Sequence, residues 1–276
     1  MRKINYGLIV SDFDGTLVCD NGEILESTKK TIAQYRQDGG VFALSTGRLP
    51  AGIIPRAAEL GLKGAVSCCQ GSLIVDIESK KLLFQDFIPN KTAIQICKKL
   101  EQLGLHIHVY DVWDYYCNMD DEPLQFYQNV TRTKAKLVLD KPLSRFLEET
   151  GMDVCKFLAM VHPKDNAKVI AELEKQGFEG CVVTKSADVL VEVINARSSK
   201  GTAVEFLSKY YGVPLEKTVG VGDQWNDIPM IEKAGLGVAV KNADARLKES
   251  ASVVLDYNND EGAVGKLIEK YGYTEE

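Results

Sequence analysis

Leu8-Ile9-Val10-Ser11-Asp12-Phe13-Asp14-Gly15-Thr16-Leu17 decides how this chain is read. From Tyr6 to Val10 a short apolar run leads into acidic residues, the pattern of a buried strand whose carboxyl end opens into a site. Two carboxylates two residues apart can address the same small volume and divide a reaction between them. An ionised Asp12 can attack phosphorus, while a protonated Asp14 gives its proton to the departing alkoxide and later activates water. Gly15 lets the chain turn away. A bare Asp-x-Asp also suits a turn with two solvated aspartates, but the upstream strand and the following Gly-Thr weigh against that reading.

Working outward, Asn21-Gly22 lies between short apolar stretches and predicts a tight hairpin, a flap over the strand end. Ser27 is a candidate cap for a helix over 28–38, Gly39-Gly40 stops it, and 41–44 reads as a second strand. The same alternation returns late, with a helix over 200–211, a strand over 218–221, a helix over 227–234 and a strand over 236–240. Parallel α/β architecture follows. Between these ends the pattern is mixed. Strands are predicted at 74–75, 82–87, 106–110, 114–118, 136–138, 156–161, 182–183 and 189–194, with helices over 91–103 and 164–176. The chemistry-bearing motifs lie before residue 50 and after residue 199. The expected organisation is therefore a discontinuous core, 1–82 and 190–276, interrupted by an α+β cap over 83–189.

Three further motifs sit at predicted strand ends or helix starts. Ser45-Thr46-Gly47-Arg48 offers a hydroxyl, free backbone N–H groups and a guanidinium where a phosphoryl oxygen could be held, Thr46 being the first choice. Ser198-Ser199-Lys200-Gly201 places an ammonium at the start of a helix, near the attacking carboxylate and the incoming phosphate. Gly222-Asp223-Gln224-Trp225-Asn226-Asp227 supplies a metal ligand in Asp223, with Asn226 and Asp227 positioning Asp223, Lys200 or the metal's water shell. Alone, these motifs also fit an ordinary turn, a surface lysine and a helix cap. Together, Asp12, Asp14, Asp223 and Asp227 would repel one another and an anionic substrate unless positive charge were supplied. Lys200 and a divalent cation, Mg2+ by its preference for oxygen ligands, meet that need.

The 276 residues carry a net charge of -6 without any block of like charge, which argues against broad binding to nucleic acid or anionic membrane. Small molecules are the expected partners. Seven cysteines, an odd number, follow a start that lacks an apolar leader, and the expectation is a reduced, cytoplasmic chain. Cys68 and Cys69 have no Cys-x-x-Cys partner and read as small buried hydrophobes. His106 and His108 share one face of a predicted strand but have no cysteine or acidic set nearby in sequence. They read as packing residues rather than metal ligands. A GxxxxGK[ST] loop and a complete dinucleotide fingerprint are both missing.

In this order and spacing, DFDGTL, STGR, SSKG and GDQWND resemble the haloacid dehalogenase superfamily, especially its Cof-like sugar-phosphate phosphatases. The resemblance spans nearly the whole chain. It implies a Rossmann-like parallel-sheet core with helices on both faces and an inserted cap of the type called C2B. By similarity, Asp12 is nucleophile and magnesium ligand, Asp14 is acid/base with its main-chain carbonyl on the metal, and Asp223 is the remaining protein ligand. Thr46 and Lys200 hold phosphate in that scheme. Gln70-Gly71 stands where family members often carry Asn-Gly, and Arg197 is a further candidate facing the substrate. The function implied is magnesium-dependent hydrolysis of small phosphorylated metabolites through an aspartyl phosphate. Two alternatives stay open: a phosphomutase, in which a sugar hydroxyl replaces water, and a metabolite sensor without turnover. Oligomeric state is unassigned.

Overall fold

The computed structural model describes residues 2–274. The chain opens with β1 (Leu8–Ser11), whose four residues are all buried, as a continuous apolar run in a parallel sheet requires. Helix α1 (Glu26–Gln37) leads to β2 (Val41–Leu44), α2 (Pro50–Glu59) and β3 (Ala65–Cys68), followed by β4 (Leu73–Asp76) and β5 (Leu82–Gln85). α1 begins at Glu26 with Leu25 at its cap and no side-chain capping bond, so Ser27 lies inside it rather than before it. The Asn21-Gly22 turn forms, with Cys19 donating to the carbonyl of Glu23, but no paired strands flank it. The carbonyl of Val18 and the amide of Asp20 are instead taken by the side chains of Asn259 and Asp260.

The middle of the chain runs through α3 (Asn90–Gln102), β6 (His106–Tyr110), β7 (Tyr115–Cys117), α4 (Glu122–Thr131), β8 (Lys136–Leu137) and α5 (Leu143–Thr150). It continues with β9 (Lys156–Met160), α6 (Asn166–Gln176), β10 (Cys181–Ala187) and β11 (Leu190–Asn195). Its strands form one six-stranded sheet in the order β10-β11-β9-β6-β7-β8, antiparallel except for β7 with β8. Alternation sorts its residues. Ile107, Val109, Phe157, Ala159, Val191 and Val193 bury one face against α3, α5 and α6. The boundary expected between 189 and 190 falls at the turn of the β10–β11 hairpin. β11 is bonded to β10 on one side and β9 on the other, so residues 190–195 go with this sheet and not with the core. Residues 83–85 likewise stay with β4 rather than the insert. An alternating apolar strand carries no signal of which sheet it joins.

The chain returns through α7 (Lys200–Tyr211), β12 (Thr218–Gly222), α8 (Ile228–Lys233), β13 (Leu236–Ala239), α9 (Ala245–Ser250), β14 (Val253–Val254) and α10 (Ala263–Tyr271). These strands complete an all-parallel sheet in the order β14-β13-β12-β1-β2. A parallel bridge from Ser45 to Ser67 continues its edge toward β3. Ile9, Phe42, Leu44, Val219 and Val221 pack with α1, α2 and α10, whereas Leu8, Val10 and Ala43 pack with Val204 and Leu207 of α7 and Met230 of α8. Helices thus cover both faces, the expected Rossmann-like arrangement.

Candidate active site

β1 and β12 are neighbours, yet the chain leaves β1 toward β2 on one side and later builds β12, β13 and β14 on the other. In an open parallel sheet this reversal leaves a crevice at the strands' carboxyl ends, where ligands bind. Asp12 follows β1 directly and Asp223 follows β12.

Lys200 reaches this crevice from the first residue of α7. The helix start is fixed by a capping box, in which Ser199 Oγ accepts from the Thr202 amide and Thr202 Oγ1 accepts from the Ser199 amide. Its buried Nζ donates to Asp12 Oδ1 at 2.6 Å and to Asp227 Oδ1 at 2.5 Å. Asp227 Oδ2 accepts from the amides of Asp223 and Gln224 at 2.9 and 3.0 Å, and Thr16 Oγ1 donates to Asp223 Oδ1 at 2.7 Å. Carboxylate oxygens of Asp12, Asp223 and Asp227 lie within 4.8 Å of one another. A side chain at Gly15 would meet Asp223 Oδ2 at 2.5 Å, so glycine is required for the loop to pass the cluster.

Three buried carboxylates face one ammonium. Burial, then the charge of Asp227, pushes Asp12 up to about 7, against which Lys200 pulls downward. Burial, then Asp12 and Asp227, raises Asp223 well above the ordinary carboxylate range. Burial works against the charge of Lys200, but the two aspartates it touches hold it protonated above its ordinary range. The cluster is therefore short of positive charge, and its all-oxygen donor set fits a hard divalent cation.

The other expected residues divide. Asp14 is not in the cluster: Arg48 clasps its carboxylate bidentately, Nε to Oδ2 at 2.7 Å and Nη2 to Oδ1 at 2.6 Å. Arg48, expected to face phosphate, also donates to the carbonyls of Val130 and Thr131 in α4, so its donors are largely engaged within the protein. Thr46, Gly47 and Asn226 line a cavity of about 320 Å³ with Asp12 and Asp14. Asn226 Nδ2 donates to Gln70 Oε1 at 2.9 Å, while its buried Oδ1 has no partner among the described residues. Arg197 is exposed, pairs with Asp86 and lies outside this cavity.

The opposite wall comes from the six-stranded sheet and α4. Lys156 and Glu192, both buried, pair at 2.9 Å, and Gln70 Nε2 donates to both oxygens of Glu192 at 3.1 Å. Gln70 holds φ 61°, a left-handed conformation, as it bridges this wall to Asn226. Phe126, Tyr127, Leu158, Met160 and Leu190 supply apolar surface. Lys156 and Glu192 carry no motif. The available signal was a lone charge inside an otherwise apolar strand, Cys155-Lys156-Phe157-Leu158 and Val191-Glu192-Val193. A larger cavity, about 520 Å³, lies by Phe84 and Phe206 and contains none of the four site aspartates.

A buried carboxylate cluster short of positive charge and a lysine from the far end of the chain meet at the switch point of a parallel sheet. Residues 9–268 match the haloacid dehalogenase-like hydrolase family, and the chain belongs to it. It is 28% identical to the pyridoxal phosphate phosphatase YbhA of Escherichia coli, over 91% of this chain and 93% of that protein. It is 26% identical to the 5-amino-6-(5-phospho-D-ribitylamino)uracil phosphatase YitU of Bacillus subtilis, over 96% and 97%. The crystal structure of a haloacid dehalogenase-like hydrolase from Bacteroides thetaiotaomicron aligns with TM-score 0.80 at 28% identity, covering 96% of this chain and 99% of that one. Among the described residues, no helix is long and apolar enough to cross a membrane.

Proposed function

We propose that this hydrolase removes phosphate from small phosphorylated metabolites, with Asp12 as nucleophile and Mg2+ as its cation. The chain is a phosphoric monoester hydrolase in which the parallel-sheet unit, residues 2–85 and 196–274, carries the chemistry. The intervening residues 86–195 form the cap that closes over the substrate. The observation that carries this reading is the buried contact of Lys200 with Asp12 and Asp227, joining residues 188 positions apart at the sheet's switch point.

Lys200 fixes Asp12 through Oδ1, and the other carboxylate oxygen, which has no hydrogen-bond donor among the described residues, attacks phosphorus to give an aspartyl phosphate. Asp12 and Asp223, with the main-chain carbonyl of Asp14, would hold Mg2+, which when bound neutralises charge on the transferring phosphoryl group. Thr46, Gly47 and Asn226 receive phosphoryl oxygens. Asp14, paired with Arg48, serves as the acid/base: once that pair opens it gives its proton to the leaving oxygen, and the carboxylate so formed takes a proton back from the attacking water. The cavity admits a compact body, and its apolar wall beside the Lys156–Glu192 pair suits either a sugar or a planar ring. Sugar phosphates and pyridoxal phosphate are the first substrates to test.

The experiment is orthophosphate release from a panel of such esters, with and without Mg2+, comparing wild type with Asp12→Asn. Wild type should turn over only with the cation, and the variant should fold normally and lose at least about a thousandfold in rate, about 4 kcal/mol of barrier. Full activity in the variant removes Asp12 as nucleophile. An isomeric sugar phosphate in place of orthophosphate would reassign the chain to phosphoryl transfer between hydroxyls.

A further inference from the structure

The face of the six-stranded sheet turned toward the core carries a second convergence of ligand atoms, separate from the aspartates. His106 and His108 alternate along β6, and the β6–β7 hairpin folds Cys117 back beside them. His106 Nε2 lies 2.9 Å from His108 Nε2 and 3.5 Å from Cys117 Sγ, and all three side chains are buried. On the other side of the ring, His106 Nδ1 meets Asp121 Oδ2 at 3.1 Å. The cysteine and carboxylate absent from the immediate sequence neighbourhood of these histidines are thus supplied by the hairpin and by the start of α4.

We infer that His106, His108 and Cys117 form a binding site for a zinc-class divalent ion, with Asp121 orienting His106 from behind. Three features support it. The donor set, two imidazoles and a thiol, suits zinc and is poorly matched to magnesium. Zn–N near 2.0–2.1 Å and Zn–S near 2.3 Å place tetrahedral N and S ligands about 3.5 Å apart and two N ligands about 3.3 Å apart. The 3.5 Å His106–Cys117 spacing already meets this, and the 2.9 Å imidazole pair opens by a few tenths of an ångström. A carboxylate on the distal nitrogen is the usual partner of a metal-bound histidine, because it fixes the tautomer that aims a lone pair at the ion.

The protons balance. With Nδ1–H of His106 on Asp121, the short contact between the two Nε2 atoms needs the proton of His108 on Nε2. Binding moves that proton to Nδ1 and releases the thiol proton of Cys117 to solvent, leaving three lone pairs for the ion and a fourth position for water.

The ion would act as a clip. Asp121 is the N-cap of α4, its Oδ1 accepting from the Leu124 amide at 3.1 Å while Oδ2 meets His106. α4 carries Phe126, Tyr127 and Val130 to the active cavity, and the Tyr127 ring packs edge-on against His108 at 4.8 Å. Holding the three ligands together therefore fixes the start of the helix that forms one wall of the cavity.

The test uses the full chain, stripped with a chelator and titrated with Co2+ in excess Mg2+. Wild type should take up one cobalt per chain with a thiolate-to-cobalt charge-transfer band that Zn2+ abolishes. Asp12→Asn should keep the band, because the carboxylate cluster has no sulfur. Cys117→Ser and His106→Gln should lose it, and Asp121→Asn, which preserves the helix cap, should weaken Zn2+ binding about 10- to 100-fold. A wild-type chain without the band, or a band that survives in Cys117→Ser, overturns the site. The wild-type measurement decides even where a variant fails to fold.

Discussion

Asp12 is asked to be an anion in a place that disfavours anions. In the metal-free chain burial and Asp227 raise its pKa from 3.8 to about 7, so between those values the folded state binds a proton that the unfolded chain has released. Stability therefore falls as pH rises through that window, by about 1.4 kcal/mol per pH unit and a few kcal/mol in total. Asp223, raised in the same direction, adds to the slope. Urea midpoints of the chelator-treated chain should drop between pH 4 and pH 7, and saturating Mg2+ should flatten the curve. Asp12→Asn, which has no proton to lose, should show a shallower slope and exceed the wild type in stability at pH 7 without metal. Equal slopes in the two proteins would mean that the carboxylate is not strained by its surroundings. These residues were legible because each follows an apolar strand or opens a helix, and the fold puts strand ends and helix starts in one place. Asp14 and Arg48 were legible as residue types but not as a pair, since nothing in Ser45-Thr46-Gly47-Arg48 tells whether the guanidinium turns to substrate or to a neighbouring carboxylate.

At the scale of elements, the antiparallel strands β9 and β11 each carry one buried charge, Lys156 and Glu192, that serves no sheet. Burial opposes the ammonium of Lys156, and Glu192 restores it to above its ordinary range. Removing either partner strands the other in the interior, at a cost of about 3–5 kcal/mol, whereas removing both costs much less. Glu192→Leu and Lys156→Met should each lower the stability seen in urea unfolding by that amount, and the double variant should recover most of it. Gln70 and Ser186, which donate to Glu192, keep the recovery incomplete. Additive losses would show that the two side chains act independently. Periodicity found most of the regular elements but not α2, β3, α4, α5, α9, β14 or α10; of these, α2, α4 and α5 are short and begin on or beside proline. α4 did announce itself in one respect: Asp121 caps it and Pro123 occupies its first turn. Which sheet an element joins, as β11 demonstrates, depends on long-range pairing that a local pattern does not encode.

Across the whole molecule, Arg48 is the point where chemistry and closure meet. It leaves the loop after β2, clasps Asp14, and donates to the carbonyls of Val130 and Thr131 at the end of α4, at 3.1 and 3.2 Å. Asp14 is half exposed, so that ion pair contributes little to stability. The contact with the Thr131 carbonyl is buried, and both carbonyls lie at a helix C-terminus, where a cation is favoured. A lysine reaches one of these partners but cannot present a planar fork to a carboxylate and two carbonyls together. Arg48→Lys should therefore leave the parallel sheet intact while loosening α4, with amide exchange at 127–132 faster by about tenfold or more, the equivalent of one charged hydrogen bond. Because α4 also lines the cavity, kcat/KM for the best phosphate ester should fall in parallel. Unchanged exchange in α4 with the same loss of activity would place Arg48 on the substrate after all, and not between the two halves of the enzyme.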